Sequence, residues 1–253
     1  MRLPRLDKDF AAGVRVVFAR ELEAYFDSPI AYIVAGVFLV LTSSIFMNGF
    51  FLSSVLDMGP WFSVLPYLLI PFVAALTMRS WAEEKAQHTF ELLMTLPLDS
   101  LAVVLGKYLA ALAFYLLVLA GSLPIVLMLL ALGTPDLGLI VASYLGAAFL
   151  GAFFLAFGMF ASGLTSDQIV AFVLAALFGF FFVLSGHPKV VEVLDGLLPA
   201  RQPGTWIYES LSVMPHYESF TRGVVSLLDT VYFAAMSAFF VLMNELLLRR
   251  SKY

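Results

Sequence analysis

Glu84 and His88 stand four residues apart, a spacing that on a helix sets a carboxylate and an imidazole on one face, as zinc ligands can be. Such a centre needs more ligands. The chain has no Cys, and its two other histidines, His187 and His216, fall far away in the sequence, so a metal-dependent intramembrane hydrolase is a poor fit. His187, His216 and Met214 form a second conceivable metal set, but two histidines in a proline-rich segment read first as ordinary loop residues. Glu245, beside Asn244, is a carboxylate in an apolar run, the kind of residue that marks a proton path. Arg249 at i+4 makes an ion pair the simpler reading. Gly106-Lys107 is followed by Tyr108, and no Gly-x-x-x-x-Gly-Lys-Ser/Thr occurs, so this chain does not cradle nucleotide phosphates. What remains is the charged island that holds Glu84 and His88. It reads Arg79-Ser80-Trp81-Ala82-Glu83-Glu84-Lys85-Ala86-Gln87-His88-Thr89-Phe90-Glu91-Leu92-Leu93-Met94-Thr95-Leu96-Pro97, and its chemistry is that of a contact surface.

The elements around the island are those of a membrane protein. Of 253 residues, 62% are hydrophobic and 13% charged, with 25 Phe, which is more apolar surface than one soluble core of this length can hide. A net charge of −4 gives no electrostatic case for nucleic acid. A helix needs about 20 apolar residues to cross a hydrocarbon core. Six runs qualify, approximately 29–56, 60–78, 102–132, 137–164, 168–186 and 230–248. The first is too long for the apolar region of a signal peptide and is read as a retained span. Asp57-Met58-Gly59-Pro60 and Gly133-Thr134-Pro135-Asp136-Leu137-Gly138 break the runs as turns. Lys107, in the first turns of the third run, is expected to snorkel to the interface.

Eleven of the 14 basic residues lie in the lead, the island region and the tail. Six spans bring all three segments to one face, which the positive-inside tendency assigns to the cytoplasm, with both termini there. Residues 10–26 set Phe10, Val14, Val17, Phe18, Leu22, Tyr25 and Phe26 on one face, opposite Arg20 and Glu23, which predicts an interfacial helix bracing the first span. Residues 187–229 mix four prolines with short amphipathic runs, 190–198 and 217–228, which predicts small helices at the outer interface. In Thr165-Ser166-Asp167-Gln168, Ser166 or Asp167 caps the fifth span, and Ser100 is expected to cap the third. Phe178-Gly179-Phe180-Phe181-Phe182 faces lipid or a neighbouring span. Ala147, Ala148, Gly151 and Ala152, extended by Gly158 and Ser162, have the small-residue spacing of close helix contact.

Within the island, residues 79–87 are rich in helix formers, with Glu83, Glu84 and Gln87 on a polar helix leaving the membrane. The pattern then resets. Thr89 is an N-cap candidate, Glu91 sits where a helix N-terminus favours an anion, Leu92, Leu93 and Leu96 supply an apolar face, and Pro97 stops the run. On composition alone, Glu83 and Glu84 are a solvated pair at a helix exit.

These residues resemble the permease subunits of ABC-2 type transporters, in particular the gliding-motility-associated branch. Arg79-Ser80, Glu83-Glu84-Lys85, Thr89-Phe90-Glu91-Leu92-Leu93-Met94-Thr95-Leu96-Pro97 and Gly106-Lys107 match its pattern, and Leu164-Thr165-Ser166-Asp167-Gln168-Ile169-Val170 and the segment from Pro215 to Phe233 are similar to further parts of it. His88 departs from the pattern, standing where that branch has Gly, which takes positive φ more readily. The resemblance implies one all-α permease domain over 1–253: a cytoplasmic lead 1–28, five spans within 29–186, an outer segment 187–229, and the sixth span and tail 230–253. It also implies a cytoplasmic coupling helix between spans two and three, with Glu83, Glu84, His88, Thr89, Glu91, Leu92, Leu93 and Pro97 contacting a separate ABC-type ATPase. ATP and Mg would sit on that partner and this chain would bind no cofactor, would not itself be an enzyme, and would pair in the inner membrane with a second permease copy or paralogue, with room for accessory extracytoplasmic proteins. The competing class is an ATPase-independent carrier or channel, which inverted repeats and intramembrane charges would favour; the two halves show no clear similarity.

Overall fold

Inside a bilayer, helices satisfy their own backbone hydrogen bonds, and a single apolar segment can do so in no other way. The computed structural model describes residues 8–53, 56–90, 98–197 and 202–250, and within them it consists of helices joined by turns and short connections, with no strand. The helices are α1 (Lys8–Asp27), α2 (Pro29–Ser53), α3 (Gly59–Thr77), α4 (Ala82–Ala86), α5 (Ser100–Ala120), α6 (Leu123–Leu132), α7 (Leu137–Gly163), α8 (Gln168–Leu184), α9 (Pro188–Leu197), α10 (Pro203–Ser210), α11 (Met214–Thr221) and α12 (Leu227–Arg250).

Five segments are long and apolar enough to cross a membrane: α2, α3 with α4, α5 with α6, α7, and α12. The expected fifth span is shorter. At 17 residues α8 reaches spanning length only together with α9, from which it is bent by 84°. The expected third run stays one spanning segment, but its helix is interrupted at Gly121-Ser122, where Pro124 in the first turn of α6 removes a donor. Ser122 Oγ donates to the Leu119 carbonyl there and shares a 2.7 Å hydrogen bond with the Tyr144 hydroxyl. The caps follow the acidic residues. Asp167 accepts from the Ile169 and Val170 amides at the start of α8, and Asp99, one residue ahead of the expected Ser100, accepts from Leu101 at the start of α5. As N-caps the two residue types are comparable, and the carboxylate adds a negative charge that a helix N-terminus favours.

The core is built around α7, which packs against α3, α5, α8, α11 and α12. Its small residues serve this packing within the chain. A Cβ on Gly151 would lie 2.0 Å from the Tyr115 ring, whose hydroxyl donates to the Ala147 carbonyl at 2.8 Å. One face of the Phe-rich run turns inward, with Phe182 edge-on to Phe153 and Phe157, while Phe178, Phe180 and Phe181 face outward. Phe149 stacks on Phe233, Phe153 meets Phe240, and Asn244 Nδ2 donates to the Ala156 carbonyl, so α7 and α12 advance side by side in the same direction. Two parallel helices require the chain between them to return the full length. Phe157 against Phe178 and Phe153 against Phe182 show α8 running back along α7.

Two expectations for the flanking helices change. α1 braces the third run rather than the first: Val17 packs onto Gly106, where a Cβ would lie 2.6 Å from the valine Cβ, and Tyr25 stacks on Phe114 at 5.2 Å. Gly106 is what lets the two helices approach. The run expected over 217–228 is not one helix. Gly223, at φ +80°, ends α11 through a hydrogen bond to the Phe220 carbonyl, and α12 starts only at Leu227.

Candidate functional site

The turn where α3 passes into α4 lies at the same end of the bundle as the end of α12, since Gly163, the last residue of α7, faces both Trp81 and Leu247, and α1 reaches it through Glu21, which shares Lys107 with Glu84. A helix start leaves amides without partners. Trp81 at the N-cap of α4 has no side-chain acceptor, and α7 supplies one: Ser162 Oγ accepts from the Trp81 and Ala82 amides at 3.1 Å each and donates to the Met78 carbonyl at 3.0 Å. Lys85 Nζ donates to the Gly163 carbonyl, so α4 is tied to the end of α7 at two points.

Lys107 does not snorkel. It is 4% exposed, and its Nζ donates to Glu84 Oε1 at 2.8 Å and to Glu21 Oε1 at 3.0 Å, with the Trp81 ring centroid 5.0 Å away. The reason is charge: two carboxylates from two other helices and an aromatic face offer the ammonium more than the interface would. Arg20 approaches Glu84 at 3.6 Å, so two cations share two carboxylates across α1, α4 and α5. Burial by itself would raise the Glu21 pKa, but the Lys107 ammonium, with Arg20, overrides it and holds the carboxyl below its ordinary value.

The exposed rim is made by the rest of the island. Glu83 pairs with Arg79 at 3.8 Å and accepts from Gln87 Nε2 at 3.2 Å. Gln87, His88 and Thr89 are exposed. His88 has φ +56°, the left-handed conformation that ends α4 and that a Cβ makes costly. The bend at this position is therefore one that glycine would make without strain. Thr89 Oγ1 donates back to the Glu84 carbonyl at 3.3 Å, and Phe90 is buried edge-on to Trp81. Glu91, Leu92, Leu93 and Pro97, and with them most of the expected coupling helix, lie outside the described residues.

Between α1, α2, α3 and α4 lies a cavity of about 700 Å³. Its floor is charged, with Arg20, Glu21, Arg79, Glu83, Glu84 and Lys107; its wall is apolar, with Tyr25, Ile30, Ala31, Val34 and Leu76. Glu84 Oε2 and Arg79 Nε are buried and hydrogen-bonded to no described residue. The structure thus brings together Glu83, Glu84, His88 and Thr89, and turns Glu84 inward rather than outward. Sequence reasoning missed Glu21 and Ser162 as partners of the island; Ser162 was read only as a small residue of a helix contact, although it is also a polar residue near the end of an apolar run.

The other polar sites are plain. His216 Nδ1 lies 2.6 Å from Asp229 Oδ1 with its ring stacked on Tyr232, His187 Nδ1 accepts from the Lys189 amide, and Glu245 pairs with Arg249. No group of three or more metal-ligating acidic, His or Cys side chains occurs among the described residues. No protein-family model matches the chain, and no curated protein matches it.

Proposed function

We propose that this chain is the permease subunit of an ABC-2 type transporter, working in the inner membrane with both termini cytoplasmic and paired with a second permease copy or paralogue. A separate ABC-type ATPase binds ATP and Mg and docks on the α4 end. The observation that carries the reading is the wiring of α4: one five-residue helix is held by Ser162 and Gly163 of α7, by Lys107 of α5 and, through Lys107 and Arg20, by α1. A displacement of the exposed segment 86–89 is delivered to three packed helices at once. Coupling needs such differential contact, because a partner shifts a two-state protein only through interactions that differ between the states.

The roles within the island divide. Glu83, His88 and Thr89, with Glu91, Leu92, Leu93 and Pro97 as the resemblance implies, form the docking surface, and Glu84 transmits the movement. The test is purification of the native complex in mild detergent. An ATPase should co-purify; Glu83→Arg with Glu91→Arg should detach it, whereas Glu84→Gln should keep it bound and lower transport-linked ATP turnover. Absence of any ATPase from the native complex overturns the proposal.

A further inference from the structure

We propose that the cavity between α1, α2, α3 and α4 binds the phosphoethanolamine headgroup of a membrane phospholipid. This inference does not depend on the ATPase reading. The size is suitable, since 700 Å³ lies within the range of small-molecule sites and holds a headgroup, its glycerol and the first methylenes. The order of the lining is that of a lipid, with charge at the floor on α1 and α4 and apolar wall on the α2 and α3 segments that are long and apolar enough to cross a membrane. The wall continues onto an unpacked face of α2, where Ile33 and Val37 are more than half exposed, giving acyl chains a continuous apolar track.

Charge selects the headgroup. Among the described residues three cations and three carboxylates line the floor; Lys107 is shared by Glu84 at 2.8 Å and Glu21 at 3.0 Å, and Arg20 pairs with Glu21 and approaches Glu84 at 3.6 Å. Two buried atoms still lack a hydrogen bond to any described residue: Glu84 Oε2, and Arg79 Nε, which Glu83 only approaches at 3.8 Å. A purely anionic headgroup would satisfy Arg79 and Arg20 but face Glu21, Glu83 and Glu84. A zwitterion satisfies both, with its phosphate toward Arg79 and Arg20 and its ammonium toward Glu84 and Glu83. A primary ammonium can hydrogen-bond to those carboxylates, whereas a quaternary one cannot and wants an aromatic cage; among the described residues Tyr25 is the one aromatic lining the cavity.

Native mass spectrometry of the delipidated full-length protein, titrated with phosphatidylethanolamine, phosphatidylcholine and phosphatidylglycerol of identical acyl chains, tests this. Phosphatidylethanolamine should be retained about tenfold over either competitor, the ratio that 1.4 kcal/mol gives. Val34→Trp, which fills the wall without touching a charge, should abolish the preference, and Arg79→Gln in the floor should reduce it if the tryptophan is not tolerated. Equal retention of the three lipids, or a preference for phosphatidylglycerol, overturns the headgroup assignment. Unchanged preference in both variants overturns the location. Soluble phosphoethanolamine binding as tightly as the lipid overturns the membrane source.

Discussion

The two ends of the bundle are held together by different means. At the α4 end, Lys107, Arg20, Glu21 and Glu84 join three helices through a few charged contacts, and Ser162 ties the turn before α4 to α7. At the α11 end, His216 meets Asp229 and Glu218 pairs with Arg222, but the bonds that tie α11 and its approach to the core are neutral: the Tyr217 hydroxyl donates to the Phe62 carbonyl at 2.9 Å, the Val213 amide to the Phe182 carbonyl at 3.3 Å, and Phe220 sits buried against Gly146. Aromatic packing of that kind has one arrangement, because displaced rings leave voids. Shared charges have several, since Glu84 already faces two cations at 2.8 and 3.6 Å. The α4 end is therefore the one suited to changing partners, and the α11 end is the one that stays put.

Breaking the charge cluster should cost most. Lys107→Met leaves Glu21 and Glu84 without their buried partner and should destabilise the fold by about 3–5 kcal/mol in reversible unfolding from mixed micelles. Adding Glu84→Gln and Glu21→Gln should recover much of it. A loss under about 1 kcal/mol would mean that the cluster is solvated and worth no more than a surface pair.

The same cluster should make stability fall in acid. Glu21 has a folded pKa below its ordinary value, so its contribution is full above the unfolded pKa of about 4.3 and disappears as pH drops through the lower folded value. Unfolding midpoints measured across that window should slope in the native chain and flatten in Glu21→Gln; identical slopes would remove Glu21 from the account.

Tyr217→Phe, at the α11 end, should cost about 1 kcal/mol, the net value of one hydrogen bond, with the same loss at every pH in that window. A pH-dependent loss would show that the contrast between the ends is wrong. The smallest expected effect is a gain: His88→Gly relieves a left-handed residue and should stabilise the chain by up to about 1 kcal/mol. Destabilisation there instead would show that the imidazole makes a required contact.

Much of the frame was legible in the sequence. The runs at 60–78 and 137–164 match α3 and α7 within a residue, and Asp167 was one of the two residues offered as the cap of α8, whereas the positive φ that His88 adopts was not read from the sequence. The break at Gly121-Ser122 also carried its sign, Pro124, masked by unbroken hydrophobicity on either side. Less could be read of the site. Glu83 and Glu84 are neighbours in the same polar helix, yet one faces out and the other in, and only the position of Lys107, 23 residues further along, decides which.

By itself the sequence determined what each segment is: which runs are apolar and long, where acidic residues cap and prolines break, and where charge is concentrated. These are properties of periodicity and composition, local enough to act without knowing the neighbours. Tertiary structure decided who meets whom. It set α1 against α5 because Gly106 leaves room for Val17, it buried Lys107 because two carboxylates from different helices converge on it, and it capped α4 with a serine 80 residues away in the chain. Each of these depends on the distance between helices, which no single segment encodes.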